Sequence, residues 1–222
     1  MRNIEFTMTH VAPRHSILRQ TVESLKENLV NIDFSKTTIY INIDPVIIPP
    51  ITHLVDQREE TKNYLEENFG KVISNEPDEA NFSNALKWCW TQPNEELFFH
   101  IEDDWLLEDK VDVEDIFPFF QDEKVFAVNL RAYRFSGPRP CLLQAIYRKS
   151  FCNEFALTLT DERNPENQLR TYVKKGELYN LHFPESINDI VLKDIGRNWL
   201  KQNGLRRNQI STKFTTYKKV AK

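Results

Sequence analysis

Glycine is scarce in this sequence, with five in 222 residues. These are too widely spaced for a P-loop GxxxxGK[S/T] or a GxGxxG fingerprint, and neither is present. The GxSxG nucleophile elbow and the HExxH metal-binding helix are missing too, so the serine-hydrolase and zincin readings fall away. The three cysteines, Cys89, Cys141 and Cys152, are odd in number and lack CxxC spacing. They are expected to be reduced core residues, not zinc ligands or a disulfide framework. No apolar run approaches the ~20 residues that cross a bilayer. The opening Met1–Thr9 is too short and too polar for a signal peptide. The expected location is cytoplasmic, with no transmembrane segment.

What is present fits one ordinary α/β domain. Hydrophobic residues make up 40 % and charged residues 28 %, and fifteen Phe with four Trp give the core its bulk. The net charge of −4 hides a sorting along the chain. From Glu95 to Glu123 there are twelve acids and one base, Lys110, whereas Lys193–Lys222 holds nine bases and one acid, Asp194. That pattern predicts a cation near one surface and an anionic ligand at another. The expected organisation is residues 1–205 as the catalytic domain and 206–222 as a basic C-terminal segment.

Alternation predicts strands at Ile4–Thr9, Thr37–Ile43, Lys71–Ser74, Val125–Leu130, Leu142–Tyr147 and Leu178–His182. Helical spacing of Leu18, Val22, Leu25 and Leu29 places a helix after the first strand. A second helix runs from Leu54 through Thr61 and Leu65 to Phe69 and stops at Gly70. Others are expected over Ala80–Gln92, around Val113–Phe120, and over Pro165–Lys175 with Gly176 at its end. Ile187, Ile190, Val191, Ile195 and Trp199 stripe a last helix that stops near Gly204. Val46–Ile51, with Pro49-Pro50, reads as a loop. Strands and helices alternate early and strands crowd later, which predicts a mixed, mainly parallel sheet flanked by helices.

Leu97–Ile101 is almost wholly apolar, as a strand buried on both faces should be. It ends in Glu102-Asp103-Asp104. Ligands of open α/β sheets bind beyond the carboxyl ends of strands. Three adjacent acids there repel one another, and Mg²⁺ or Mn²⁺ removes that cost while bridging to phosphate oxygens. An exposed acidic turn is the bland alternative.

A first strand with a Pro-Arg loop and helix, a strand ending in Asp, a helix with an inward Asn, and an apolar strand ending in a carboxylate triplet resemble the GT-A glycosyltransferases, family 2-like members in particular. The resemblance implies a nucleotide-sugar donor, a UDP-sugar first of all, and makes Glu102-Asp103-Asp104 the DxD motif. Asp104, with Asp103, would hold the metal, and Glu102 would contact the ribose. Thr9, Pro13, Arg14, Asp44 and Asn84 would line the nucleotide pocket. Pro165-Glu166-Asn167-Gln168-Leu169 fits the family's acidic helix start, with Glu166 as catalytic base and Pro165 where a first acid is usual. A carboxylate at a helix start also simply satisfies the helix dipole. His182 would complete the metal shell, although a lone histidine at a strand end is more often structural. Arg197 has the fork to pair with a diphosphate. Trp105 is expected as a site wall, Trp199 and His100 as core.

The expected activity is therefore metal-dependent sugar transfer, inverting if Glu166 is the base and retaining if it is not, to an unidentified acceptor: a glycan, a lipid-linked sugar or DNA drawn by the basic C-terminus. Two other readings compete. A nucleotidyltransferase needs the same carboxylates and ion, but His10–Arg14 lacks the glycine-rich loop usual there. A nucleic-acid-binding protein would use Arg206-Arg207 to Lys222, against an acidic net charge.

Overall fold

The computed structural model describes residues 4–45, 56–131, 144–161, 163–173, 178–184, 186, 189–208 and 216–219. Strand β1 (Glu5–Val11) leads through a 3₁₀ turn, Ala12–Arg14, into α1 (His15–Asn28) and a short β2 (Leu29–Val30). Next come β3 (Thr38–Asp44), α2 (Arg58–Asn68), β4 (Lys71–Asn75), α3 (Phe82–Thr91) and β5 (Leu97–Glu102). After β5 the chain makes β6 (Trp105–Leu107), β7 (Val111–Asp112), α4 (Val113–Ile116), β8 (Val125–Leu130), β9 (Ala145–Arg148) and α5 (Lys149–Thr158). It ends in α6 (Pro165–Val173), β10 (Tyr179–Phe183), β11 (Leu192–Asp194), α7 (Gly196–Gln202) and the paired β12 (Leu205–Asn208) and β13 (Thr216–Lys219).

Seven strands form the main sheet in the order β10-β8-β9-β5-β1-β3-β4. Only β9 runs against its neighbours β5 and β8; the other pairings are parallel. The expected mixed, mainly parallel sheet is what the chain builds. Period-two alternation gives each face its own core. On one face Phe6, Met8, Ile39, Ile41, Phe99 and Ile101 pack against Leu18, Val22 and Leu25 of α1 and Leu65 of α2. On the other, Phe98, Phe126 and Tyr147 pack against Leu86 and Trp90 of α3, Phe151 and Phe155 of α5, and Leu169 of α6. Strand β5 is thus covered on both sides, as its apolar run predicts. His100 is fully buried beside Trp90, and burial pushes its imidazole down to about 3, so it is a neutral core residue.

The last apolar stripe is not one helix. Leu192–Asp194 pairs antiparallel with Trp105–Leu107, and helix begins only at Gly196. Pairing with β6 overrides the helical spacing of Val191 and Ile195. At the basic C-terminus Leu205–Asn208 pairs antiparallel with Thr216–Lys219, strands that no apolar alternation predicts. The Val46–Ile51 loop, Leu54, Cys141, Leu142, Lys175, Gly176 and Ile187 lie outside the described residues. No described helix is long and apolar enough to cross a membrane.

One glycine fixes the end of α2. Gly70 donates its N–H to the Phe34 and Thr37 carbonyls, both at 3.0 Å, and a Cβ there would overlap the Ser35 carbonyl oxygen. Gly70→Ala must push backbone apart, so it is expected to lower stability by about 1–3 kcal/mol. Urea unfolding measures this, and an unchanged midpoint would show that the loop yields at no cost.

Candidate active site

Three strand ends build the site. The chain runs outward from β1 to β3 and β4, then crosses back to β5 on the other side of β1. That reversal opens the crevice in which α/β proteins bind ligands. Thr9 pairs with Glu102 across β1 and β5 and with Asn42 across β1 and β3. One residue further, His10 and Asp103 meet at the lip of the sheet.

Asp103 is almost entirely enclosed, with a side chain 4 % exposed. Its Oδ2 accepts from His10 Nδ1 at 2.7 Å and from the Val11 N–H at 3.3 Å, while Arg14 Nη1 sits 3.2 Å from Oδ1. Its own carbonyl accepts the Thr21 hydroxyl at 2.9 Å. Burial alone would raise this carboxyl, but Arg14, His10 and the Val11 amide outweigh it and hold Asp103 below the usual carboxylate range. Asp104 shares the same arginine, with Nη2 2.5 Å from Oδ2, and keeps 24 % of its side chain exposed. Here burial, reinforced by the neighbouring Asp103 charge, exceeds the pull of Arg14, and the carboxyl is raised. Two adjacent acids therefore differ in kind: Asp103 is anchored and ionised, while Asp104 is exposed enough to meet a ligand.

The C-terminal elements press onto this pair. Ile195 donates its N–H to the Asp104 carbonyl at 2.9 Å. A Cβ on Gly196 would overlap Asp104 Oδ2 and crowd Arg14 Nη2, so only glycine lets α7 sit this close. Trp199 packs with Ile17 and Ile195 as a core residue, and its ring lies 5.9 Å from the Arg14 guanidinium carbon. Trp105, expected as a site wall, is 8 % exposed in the main core and donates its indole N–H to Glu102 Oε2 at 3.0 Å. Buried Gln144 donates to the Trp105 carbonyl at 3.2 Å and closes the turn.

Asp44 ends β3 beside this cluster. It accepts from Asn42 Nδ2 at 2.7 Å and from the Asn81 backbone, and Asn42 in turn accepts from Asn75 Nδ2 at 2.6 Å. Burial pushes its carboxyl up to about 6, with Asp103 adding to the rise. Asn81 caps α3 by accepting the Asn84 N–H at 3.1 Å; Asn84 itself is exposed. Ser83 ties α3 to the segment before α6 by donating to the Arg163 carbonyl at 3.0 Å. Glu166 follows in the first turn of α6, its N–H held by Asn164 at 2.9 Å and its carboxylate 3.5 Å from Arg170.

The structure does not gather every expected residue. Pro13 is buried in the 3₁₀ turn, where it sets the path of the chain into α1. Arg14 points into the acid pair and is spoken for by it. Arg197 is exposed on α7 and pairs with Asp194 at 3.0 Å. His182 lies on edge strand β10, with β8 and β9 between it and β5, which puts it roughly 14 Å across the sheet. It does not join Asp103 and Asp104, and the described residues contain no group of three His, Cys, Asp or Glu able to hold an ion. His10, Gly196, Asn42 and Gln144 carry no local sequence signal of a role in the site. Their signal lies in contacts spanning up to 93 residues, which no local pattern carries.

Asp44 yields a signed prediction. Its folded value of about 6 exceeds the ordinary one near 4, so the native state holds the proton more tightly. Its contribution to stability therefore falls as pH rises through that window. Asp44→Asn should gain roughly 1–3 kcal/mol over the parent above pH 7 and little at pH 4. Unfolding titrations at both pH values check this; a pH-independent difference would show that Asp44 carries no uncompensated charge.

No family model and no curated protein matches the sequence. Solved structures do match in shape. Residues 1–349 of S. aureus TarS align with a TM-score of 0.58 and 9 % identity over 90 % of this chain and 63 % of that one; TarS has also been crystallised with UDP and with UDP-GlcNAc. The mannosyltransferase PcManGT from Pyrobaculum calidifontis, in complex with GDP-Man and Mn²⁺, gives 0.61 and 11 % over 83 % of this chain and 56 % of that one. A Bacillus anthracis protein described as a glucose-1-phosphate thymidylyltransferase gives 0.57 and 12 % over 91 % and 94 %. This chain thus spans less than two thirds of either glycosyltransferase, and only 35 % of a longer TarS structure. What these likenesses establish, together with the strand order, is a single α/β domain of the GT-A fold.

Proposed function

We propose that this chain transfers a sugar from a nucleotide-sugar to an acceptor, with inversion at the anomeric carbon. The observation that carries the reading is the placing of Asp44, Asp103 and Asp104 at the ends of β3 and β5, flanking β1 at the sheet's switch point. Asp44 is an enclosed acceptor and suits a base bearing a ring N–H, uracil in a UDP-sugar above all. The nucleotide-sugars held by TarS and PcManGT support the same class of donor.

The fit of a divalent ion rests on Asp104. Mg²⁺ and Mn²⁺ take one or two protein carboxylates and complete their shell with phosphate oxygens and water. One partly exposed carboxylate meets that need; Asp103, with both oxygens engaged, instead fixes the turn. Bound there, Mn²⁺ or Mg²⁺ would offset charge on the departing nucleoside diphosphate as a Lewis acid. Thr9 and Glu102, paired across the crevice, lie where a ribose would rest. Glu166 takes the acceptor hydroxyl proton as that oxygen attacks the anomeric carbon and the nucleoside diphosphate leaves. Ser83 ties the segment before α6 to α3, and Asn164 accepts the Glu166 N–H at the helix start; together they position Glu166. The basic C-terminal segment from Arg206 to Lys222 would draw an anionic acceptor.

The nucleotidyltransferase reading has one observation in its favour, the near-complete mutual coverage with the B. anthracis protein. It predicts pyrophosphate release from a nucleoside triphosphate and a sugar phosphate; hydrolysis or transfer from UDP-sugars without pyrophosphate excludes it.

Asp104→Asn keeps shape and removes charge. It should fold and lose at least about 100-fold in turnover together with Mn²⁺-dependent UDP binding. Unchanged Mn²⁺ and UDP affinity by calorimetry would sink the proposal. Glu166→Gln should lose about 10²–10⁴ in kcat with donor affinity intact; normal turnover would leave Glu166 as a helix-start residue.

A further inference from the structure

We infer that Arg14 is the resident cation of this site and competes with the divalent ion for Asp104, so that ion binding displaces its Nη2 from that carboxylate. The inference rests on the reading above that Asp104 takes the ion.

One guanidinium serves two adjacent carboxylates, reaching Asp103 Oδ1 at 3.2 Å and Asp104 Oδ2 at 2.5 Å. The two ends of this bridge are unequal. Asp103 is held by His10 and the Val11 amide as well, whereas among the described residues the Asp104 carboxylate accepts from Arg14 only. Loss of Nη2 therefore leaves Asp103 anchored and strips Asp104 of the one counter-charge that the described residues give it. Asp104 is the exchangeable half, and its side chain is also the more exposed, at 24 % against 4 %. An arriving cation must replace a charge-assisted hydrogen bond that is already made, which weakens its apparent affinity. The packing allows little compromise. Gly196 fills the space above Asp104 so closely that a methyl group would overlap it, and Trp199 flanks the guanidinium. An anionic ligand that draws Arg14 away frees Asp104, so cation and nucleoside diphosphate bind with mutual reinforcement through this side chain.

The test measures Mn²⁺ uptake by the full chain without nucleotide, from loss of the free-ion EPR signal. Arg14→Met should bind Mn²⁺ at least tenfold more tightly than the parent, and Arg14→Met/Asp104→Asn should lose that gain. Equal or weaker uptake by Arg14→Met overturns the inference, as does a gain that survives Asp104→Asn, since the ion would then sit elsewhere. If Arg14→Met does not fold, Arg14→Lys decides. Its point charge cannot fork to both carboxylates, so at least threefold tighter uptake is expected, and no gain overturns the inference. Failure of the proposed function reads differently: parent and Asp104→Asn then take up Mn²⁺ identically in the presence of UDP, whatever the Arg14 variants do.

Discussion

The bridge from Arg14 to Asp103 and Asp104 joins three parts of the chain that are distant in sequence. Arg14 closes the turn between β1 and α1; the acids end β5; Trp199 and Gly196, which touch the bridge, belong to α7. A buried charge is tolerated only when paired and hydrogen-bonded. The position of α7 and the register of β6 against β11 are therefore constrained by charge as much as by apolar packing. Removing Arg14 would leave two adjacent carboxylates without the cation they share, whereas removing Asp103 would leave His10 and the Val11 amide without their acceptor.

The fold was legible wherever its cause is local. Leu97–Ile101 reads as a strand buried on both faces because every residue but His100 is apolar, and both cores bear it out. The carboxylate triplet is legible too, because strand end and acids are contiguous. What could not be read is who meets whom. His10 is an unremarkable loop residue until β1 is known to lie beside β5, and their contact spans 93 positions. Arg14 stands out as a site residue, yet its partners do not. The stripe ending at Trp199 misleads for a physical reason: the apolar spacing serves two packing surfaces, one on β6 and one on α1, and a strand answers the first.

Stability and chemistry pull apart in this crevice. Asp44 is enclosed with no cation of its own beside it among the described residues, and folding holds its proton up to about 6. An asparagine there would keep an acceptor for these donors without enclosing a charge. An acceptor kept dry and pre-aimed by Asn42, itself oriented by Asn75, has value only toward a ligand that donates. Functional sites are where such cost collects.

Asp103 and Asp104 show how one motif divides its labour. Neighbouring acids on one backbone turn have nearly the same intrinsic acidity, so their environments must separate them. Four enclosing interactions, from His10, Val11, Arg14 and Thr21, commit Asp103 to holding the turn. Asp104, one residue on, is reached by only one of those donors among the described residues, the Arg14 guanidinium it shares with Asp103. The shifts in opposite directions follow from that asymmetry and not from residue type. A carboxylate can meet a ligand only if the protein has not already satisfied it. By that criterion Asp104, and not Asp103, is the aspartate to which the proposed function gives the ligand.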